Sequence, residues 1–299
     1  MDNTDTIIVA SHTLDLAVQI ALQKSFPLVI PHITTFADGE IEVIFPDPSI
    51  FINKKVIIVH PTCPPVANEM IKLALISDAI HFSGSREVIA LISYLGYARH
   101  IKGVSVQIPP AAQTIIHLLE AMAINKFVCV ELHDDKDATF FKKSIASVRI
   151  APLIAQYLDR RMSGDYCIVA PDHGAQERAQ EVAKLLNKPL ILYLKKRIGV
   201  DKVAISEPSN FSLHQKAVII DDIIDTGGTS LHVANDLTTH SIKEVYGCFV
   251  HGIFSKESNI PLLTTAFHKI FVSNTVPLAF ANNKIEVFDV SSALLTSIE

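Results

Sequence analysis

The 299-residue chain is 49% hydrophobic and 19% charged, with 11 glycines, a composition that excludes disordered, collagen-like and low-complexity chains and supports a large buried core. Its 26 basic and 31 acidic residues leave a net charge of −5, so the chain as a whole does not attract nucleic acid or an anionic membrane, and any phosphate recognition is local. At roughly 100 to 200 residues per domain, the length predicts two domains.

The N-terminus, MDNTD, carries acids where a signal peptide carries bases, and its apolar run stops at Ala10. No apolar stretch reaches the roughly 18 to 20 residues that cross a bilayer. A soluble, cytoplasmic protein is therefore expected. Cys63, Cys129, Cys167 and Cys248 are scattered singly, three of them in β-like runs, as reduced, buried thiols are. The 13 histidines show no HExxH or CxxC spacing, so no structural zinc site is expected.

In chain order, short Val/Ile-rich runs predict strands at 6–10, 56–60, 88–94, 127–132, 166–170, 190–194, 218–221, 245–250, 270–273 and 285–290. Such near-continuous apolar runs suit strands buried on both faces. Segments of helical period lie between them at 14–25, 68–82, 111–123, 176–186 and 230–239. Alternation of strand and helix predicts an α/β fold with mainly parallel sheets.

VIIVHPTCPPV, a helix and REVIALISYLGYAR are echoed by VIIDDIIDTGGTS, a helix and KEVYGCFVHGIFS. The strand starts lie 32 residues apart in the first copy (Val56 to Val88) and 27 in the second (Val218 to Val245). One unit is used twice, with its junction within 144–165. The expected domains are 1–148 and 149–299.

The most informative stretch is 218–230, VIIDDIIDTGGTS: a buried strand, paired acids, a glycine pair and a helix start. Turn glycines allow close backbone approach, the amides and the hydroxyls of Thr226 and Thr229 are donors, and a helix N-terminus favours an anion. This is a phosphate cradle, although the sequence is no Walker loop. The plainer reading is an N-capped helix in which Asp225, Thr226 or Thr229 satisfies free amides. Against it, the adjacent carboxylates of Asp221 and Asp222 repel unless a cation or hydroxyls are shared between them. Taken alone, the KKR run at 195–197 reads as a solvated edge, and His133 as a structural histidine at a strand end.

The 218–230 segment resembles the signature loop of the type I phosphoribosyltransferase fold, in the VDDxIDTGGT form of the ribose-phosphate pyrophosphokinase (phosphoribosyl pyrophosphate synthetase) family. Nearly the whole chain is similar to that family, motif by motif and in order. FADGE (36–40) resembles FSDGE, PTCPPVANEMIKLALISDAI (61–80) resembles TCxPxNDNLMELLIMxDA, and YLGYAR (94–99) resembles PYxGYAR. ELHDDKDATFF (131–141) is similar to DLHAxQIQGFF, APDHGAQERAQEVAKLL (170–186) to SPDxGGVxRAxxxAKLL, and LKKR (194–197) to DKRR.

The resemblance implies two tandem phosphoribosyltransferase-like domains, each a mainly parallel sheet flanked by helices. It also implies Mg²⁺-dependent transfer of diphosphate from ATP to ribose-5-phosphate, with AMP released and the protein acting as a homo-oligomer, a dimer or hexamer. Residue by residue, it assigns the sugar phosphate to Asp221, Asp222, Asp225, Thr226, Gly227, Gly228 and Thr229. ATP falls to Asp38, Gly39, Glu40, Arg99 and His100, and magnesium to His133 and Asp172. Lys195 and Arg197, 26 and 24 residues before Asp221, are the implied catalytic cations over the ATP phosphates, with Arg197 also reaching the sugar phosphate. Cations that meet charge developing on phosphoryl oxygens suit this reaction.

The chain departs from the family at His100-Ile101, where QD is usual, at Ile198-Gly199, and after the histidine of ELHDD. These departures leave the 225–229 loop intact. Two other readings use the same fold: a phosphoribosyltransferase that consumes phosphoribosyl pyrophosphate, and a non-catalytic subunit associated with the synthetase.

Overall fold

A computed structural model describes residues 5–11, 14–98, 111–133, 135–197, 203–206 and 214–298, with the side chains of 135–137, 194–197 and 203–206 left aside. The chain divides into two compact units. One comprises Met1–Arg149, Asn274–Pro277 and Asp289–Glu299, the other Ile150–Ser273 and Leu278–Phe288.

The first unit runs β1 (Thr6–Ala10), α1 (Asp15–Lys24), β2 (Leu28–Val29), β3 (His32–Thr35), β4 (Ile41–Ile44), β5 (Lys55–His60), α2 (Val66–Phe82), β6 (Glu87–Ile92), α3 (Ala111–Ala121), β7 (Lys126–Val130) and β8 (Ser144–Val148). Its sheet has the order β2-β1-β5-β6-β7-β8 with every pair parallel, and β3 and β4 form a separate antiparallel hairpin. The second unit runs α4 (Ala151–Arg161), β9 (Cys167–Ala170), α5 (Gln176–Leu186), β10 (Leu190–Leu192), β11 (Leu194–Arg197), β12 (Val203–Ser206), β13 (Lys216–Ile224), α6 (Gly228–Thr239), β14 (Glu244–Gly252), α7 (Ile260–Ala266), β15 (Lys269–Ser273) and β16 (Ile285–Phe288). Its order is β10-β9-β13-β14-β15-β16, again all parallel, beside an antiparallel β11–β12 hairpin. A last short helix, α8 (Ser291–Leu294), belongs to the first unit.

Strand for strand, the two orders are the same. The echo seen in the sequence thus extends through both units, hairpin included. Its central strands are buried from their second residue on, β13 as far as Ile220, as parallel strands covered on both faces must be. Opposite charges face each other where these strands begin, Lys55 against Glu87 and Lys216 against Glu244, the second pair closing to 3.4 Å. Such cross-strand pairs help to fix register. Two helices end on left-handed residues, α1 at Ser25 and α5 at Asn187, and asparagine tolerates that conformation better than most side chains.

The structure corrects several expected elements. The run 190–194 is two strands. β10 continues the main sheet, while Leu194 onward leaves it to pair antiparallel with β12, the break falling at Tyr193, whose buried hydroxyl donates to Asp236 Oδ2 at 2.7 Å. The segment 144–165, where the junction is expected, carries β8 and α4, and the chain passes from the first unit to the second at Arg149–Ile150. The strand expected over 285–290 stops at Phe288 because the Asp289 carboxylate turns to accept from Asn274 and Ser291 instead.

All four cysteines are free and buried. Burial pushes the thiols of Cys63 and Cys167 up to about 11 and that of Cys248 up as well, which leaves little reactive thiolate near neutral pH. Among the described residues no helix is long and apolar enough to cross a membrane.

Glu286 on β16 accepts from Lys269, Tyr157 and Arg161, and these donors outweigh the opposing effect of burial and hold its carboxyl down at about 2. A carboxylate with a depressed folded pKa stabilises the fold above its ordinary pKa, near 4.3, and loses that contribution as pH falls through the folded value. Glu286→Gln is therefore expected to lower stability at pH 7 and to narrow its gap from wild type between about pH 4.5 and 2, as followed by urea titration. A gap constant over that range would refute the role.

Candidate active site

In an open parallel sheet, ligands bind beyond the carboxyl ends of strands at the point where strand order reverses. In the second unit that point lies between β9 and β13. Two predicted groups sit there: Asp172, two residues after β9, and the 225–229 loop immediately after β13.

The loop turns on Gly227, whose φ is +75°. A Cβ at this position would lie 2.3 Å from Leu263 Cδ2, so both backbone conformation and space demand glycine. Gly227 is also the N-cap of α6, a residue with no side chain to cap that helix. The first-turn N–H groups have no partner within the helix, and its dipole favours an anion there. The loop is held from outside: Asp225 Oδ1 accepts from the Ser255 N–H at 3.0 Å and from the Ser255 hydroxyl, and the Thr226 carbonyl accepts from Asn259 Nδ2 at 2.8 Å. Reading the sequence missed Ser255 and Asn259. The only signal was the FS that closes the repeated segment.

Asp221 and Asp222 lie within β13, which runs on to Ile224 rather than ending at the acids. The Asp222 N–H donates to Asp221 Oδ1 at 2.8 Å. The Asp221 carboxyl is held well above the usual carboxylate range, first by burial, then by the charge of Asp222, hydrogen bonding to it and the charge of Asp172, while Arg178 on α5 pulls more weakly the other way. The repulsion expected between paired acids is present, and Asp172 adds to it. Asp172 Oδ1 also accepts from the Ala175 N–H at 3.2 Å, ahead of α5. Among the described residues no three His, Cys, Asp or Glu side chains form a ready cage for a metal.

Lys195 and Arg197 fall on β11, opposite Ile205 and Val203 of β12. Their hairpin occupies the place in the second unit that β3–β4 occupies in the first. Asp38, Gly39 and Glu40 form the exposed turn of β3–β4: the Glu40 N–H donates to Asp38 Oδ1 at 3.1 Å, and Gly39 has a φ of +92°. Arg99 and His100 lie outside the described residues, but the segment leading to them is anchored. Thr62 Oγ1 donates to the Tyr94 carbonyl at 2.9 Å and accepts from the Gly96 N–H at 2.7 Å. His133 is exposed, three residues beyond β7 in the first unit.

In the first unit the strand order reverses between β1 and β5, and His60, the last residue of β5, is fully buried. Its Nδ1 meets Ser11 Oγ at 2.6 Å and its Nε2 meets the Glu69 carbonyl at 2.8 Å. That carbonyl can only accept, so Nε2 carries a proton, and the Glu69 carboxylate also lies 3.5 Å from Nε2.

Residues 6–123 match a family model described as the N-terminal domain of ribose phosphate pyrophosphokinase, and residues 212–299 one described as a phosphoribosyl synthetase-associated domain. The ribose-phosphate pyrophosphokinase of Gloeobacter violaceus is 30% identical over 245 residues, 82% of this chain and 73% of that one. Ribose-phosphate pyrophosphokinase 1 of Streptococcus pneumoniae is 30% identical over 273 residues, 90% and 84% of the two chains. The phosphoribosylpyrophosphate synthetase from Mycobacterium smegmatis shares the fold, with a TM-score of 0.86 at 23% identity over 98% of this chain and 97% of that one. Motifs, repeated topology and relatives agree: the chain belongs to the ribose-phosphate pyrophosphokinase family.

Proposed function

We propose that the chain transfers diphosphate from ATP to the anomeric hydroxyl of ribose-5-phosphate, giving phosphoribosyl pyrophosphate and AMP. The observation that carries this reading is the glycine N-cap of α6 at the strand crossing beside Asp221 and Asp222. The first-turn amides and the hydroxyls of Thr226 and Thr229 hold the 5-phosphate, and Asp221 and Asp222 accept from sugar hydroxyls. The anomeric oxygen attacks the β-phosphorus in line as the bond from that phosphorus to the α-phosphate oxygen breaks. Lys195 and Arg197 meet the charge that develops on the phosphoryl oxygens. Asp38, Gly39, Glu40, Arg99 and His100 hold ATP.

The acids around Asp221 suit a hard cation. Mg²⁺ is ordinarily held by one or two carboxylates together with substrate phosphates rather than by an all-protein cage, and the raised Asp221 carboxyl marks a cluster that gains from added positive charge. By the family resemblance, His133 and Asp172 are the residues that would hold Mg²⁺. Bound Mg²⁺ would neutralise and orient the ATP phosphates. The four buried thiols suit a reducing cytoplasm, and family membership supports a homo-oligomer.

The test is AMP release from ATP and ribose-5-phosphate with Mg²⁺, repeated in excess EDTA. Magnesium-dependent AMP formation is expected. Binding of ribose-5-phosphate with neither ATP binding nor AMP release would replace this reading with a non-catalytic associated subunit, which the departures at His100 and Ile101 favour. Full turnover in EDTA would remove the metal from the scheme.

A further inference from the structure

The phosphate loop does not hold its own shape. One stretch of chain, 253–263, which leaves β14 and continues into α7, braces the end of β13 and residues 225–227. Its first bond is from the backbone, the Ile253 N–H donating to the Ile224 carbonyl at 2.8 Å. Ser255 then gives both its donors to one oxygen of Asp225, Asn259 closes on the Thr226 carbonyl, and Leu263 fills the space that a side chain at Gly227 would need. A backbone bond, a bidentate bond to a charged group, an amide bond and an apolar contact follow one another along eleven residues.

The Asp225 bond has a consequence for the anion site. Aspartate is among the strongest partners for free amides at a helix start, and Asp225 stands two residues before the N-cap Gly227. Yet the N-cap of α6 is a glycine with no side chain to offer, and Oδ1 of Asp225 accepts from Ser255. A carboxylate kept on Ser255 leaves the amides to an incoming phosphate. Released, it would compete for the same donors and repel the anion by like charge.

We propose that Ser255 and Asn259 are positioning residues for sugar-phosphate binding: Ser255 holds the Asp225 carboxylate off the start of α6, and Asn259 fixes the peptide that follows. This rests on the reading of 225–229 as the 5-phosphate site. It moves Asp225 from substrate ligand to scaffold and adds two residues that touch neither substrate.

The experiment measures the affinity of the full-length protein for ribose-5-phosphate by calorimetry, and KM and kcat by AMP release. Ser255→Ala is expected to weaken ribose-5-phosphate binding by about tenfold or more, the order for a lost hydrogen bond to a charged group, with the KM for ATP unchanged. Ser255→Thr, which keeps both donors, should restore affinity. Asp225→Asn added to Ser255→Ala should recover part of the loss, because the neutral amide no longer repels the phosphate by like charge, whereas a purely structural defect would not be relieved by a second change. Asn259→Ala, expected to weaken binding several-fold, keeps the question answerable if Ser255→Ala does not fold. Wild-type affinity in either folded alanine variant, or equal affinity of the double variant and Ser255→Ala, overturns the proposal. If the unaltered protein binds no ribose-5-phosphate, the reading of the loop itself falls, an outcome separate from loss confined to the variants.

Discussion

Lys195→Ala is expected to lower kcat by about 10²-fold or more, the scale on which removal of one preorganised electrostatic contact acts. The KM for ribose-5-phosphate should change far less, because the lost contact is to charge that develops only as the phosphoryl group moves, and uniform binding is retained. The position supports the expectation. β11 departs from the main sheet at Tyr193 and pairs with β12, so the backbone that carries Lys195 and Arg197 is a hairpin standing clear of the sheet, as the β3–β4 turn with Asp38 to Glu40 does in the first unit. Arginine at 195 is expected to recover only part of the rate, since a planar fork does not replace a compact point charge. Steady-state kinetics with both substrates varied provide the check, and a kcat near wild type in Lys195→Ala would remove Lys195 from the chemistry.

The second large effect is expected at Gly227. An alanine there must hold φ near +75°, which costs a side-chain-bearing residue about 1–2 kcal/mol, and its Cβ must find room against Leu263 Cδ2 at 2.3 Å, where overpacking typically costs about 1–3 kcal/mol. Gly227→Ala is thus expected to lose about 2–5 kcal/mol of stability and to raise the KM for ribose-5-phosphate at least about tenfold, since the displaced residue is the N-cap of the helix that faces the phosphate. The two causes separate in a double-mutant cycle. In a Leu263→Ala background the steric part disappears while the backbone part remains, so the substitution should cost clearly less there than in the native protein. Full additivity in urea titrations would show that the contact with Leu263 is not the source of the strain.

Parts of this molecule are fully legible in the linear sequence. Buried parallel strands need unbroken apolar runs, so TIIVA, KVIIVH and EVIALI announce themselves, and repetition of the run, helix, run pattern marks the duplication. The phosphate loop is legible for a related reason. A tight turn into a helix needs glycine, an anion needs donors, and both demands fall on consecutive residues, as they do at Asp225 to Thr229. Motif order along the chain was enough to name the family.

What the sequence could not display are relations between residues distant along the chain. The short strands β8 and β12 lack the long apolar runs of the central strands, and LILYL reads as one strand although its last residue pairs elsewhere. His60 ends β5 at the place where β13 carries its paired acids, and only packing shows that its ring is buried between Ser11 and the Glu69 carbonyl. Asp225 illustrates the limit most sharply. Its residue type and place predict a helix cap or a phosphate-site ligand, and its carboxylate instead turns to a serine thirty residues on. Local sequence determines which conformations and charges a segment offers; which partner takes them is decided when the fold brings distant donors within hydrogen-bond distance.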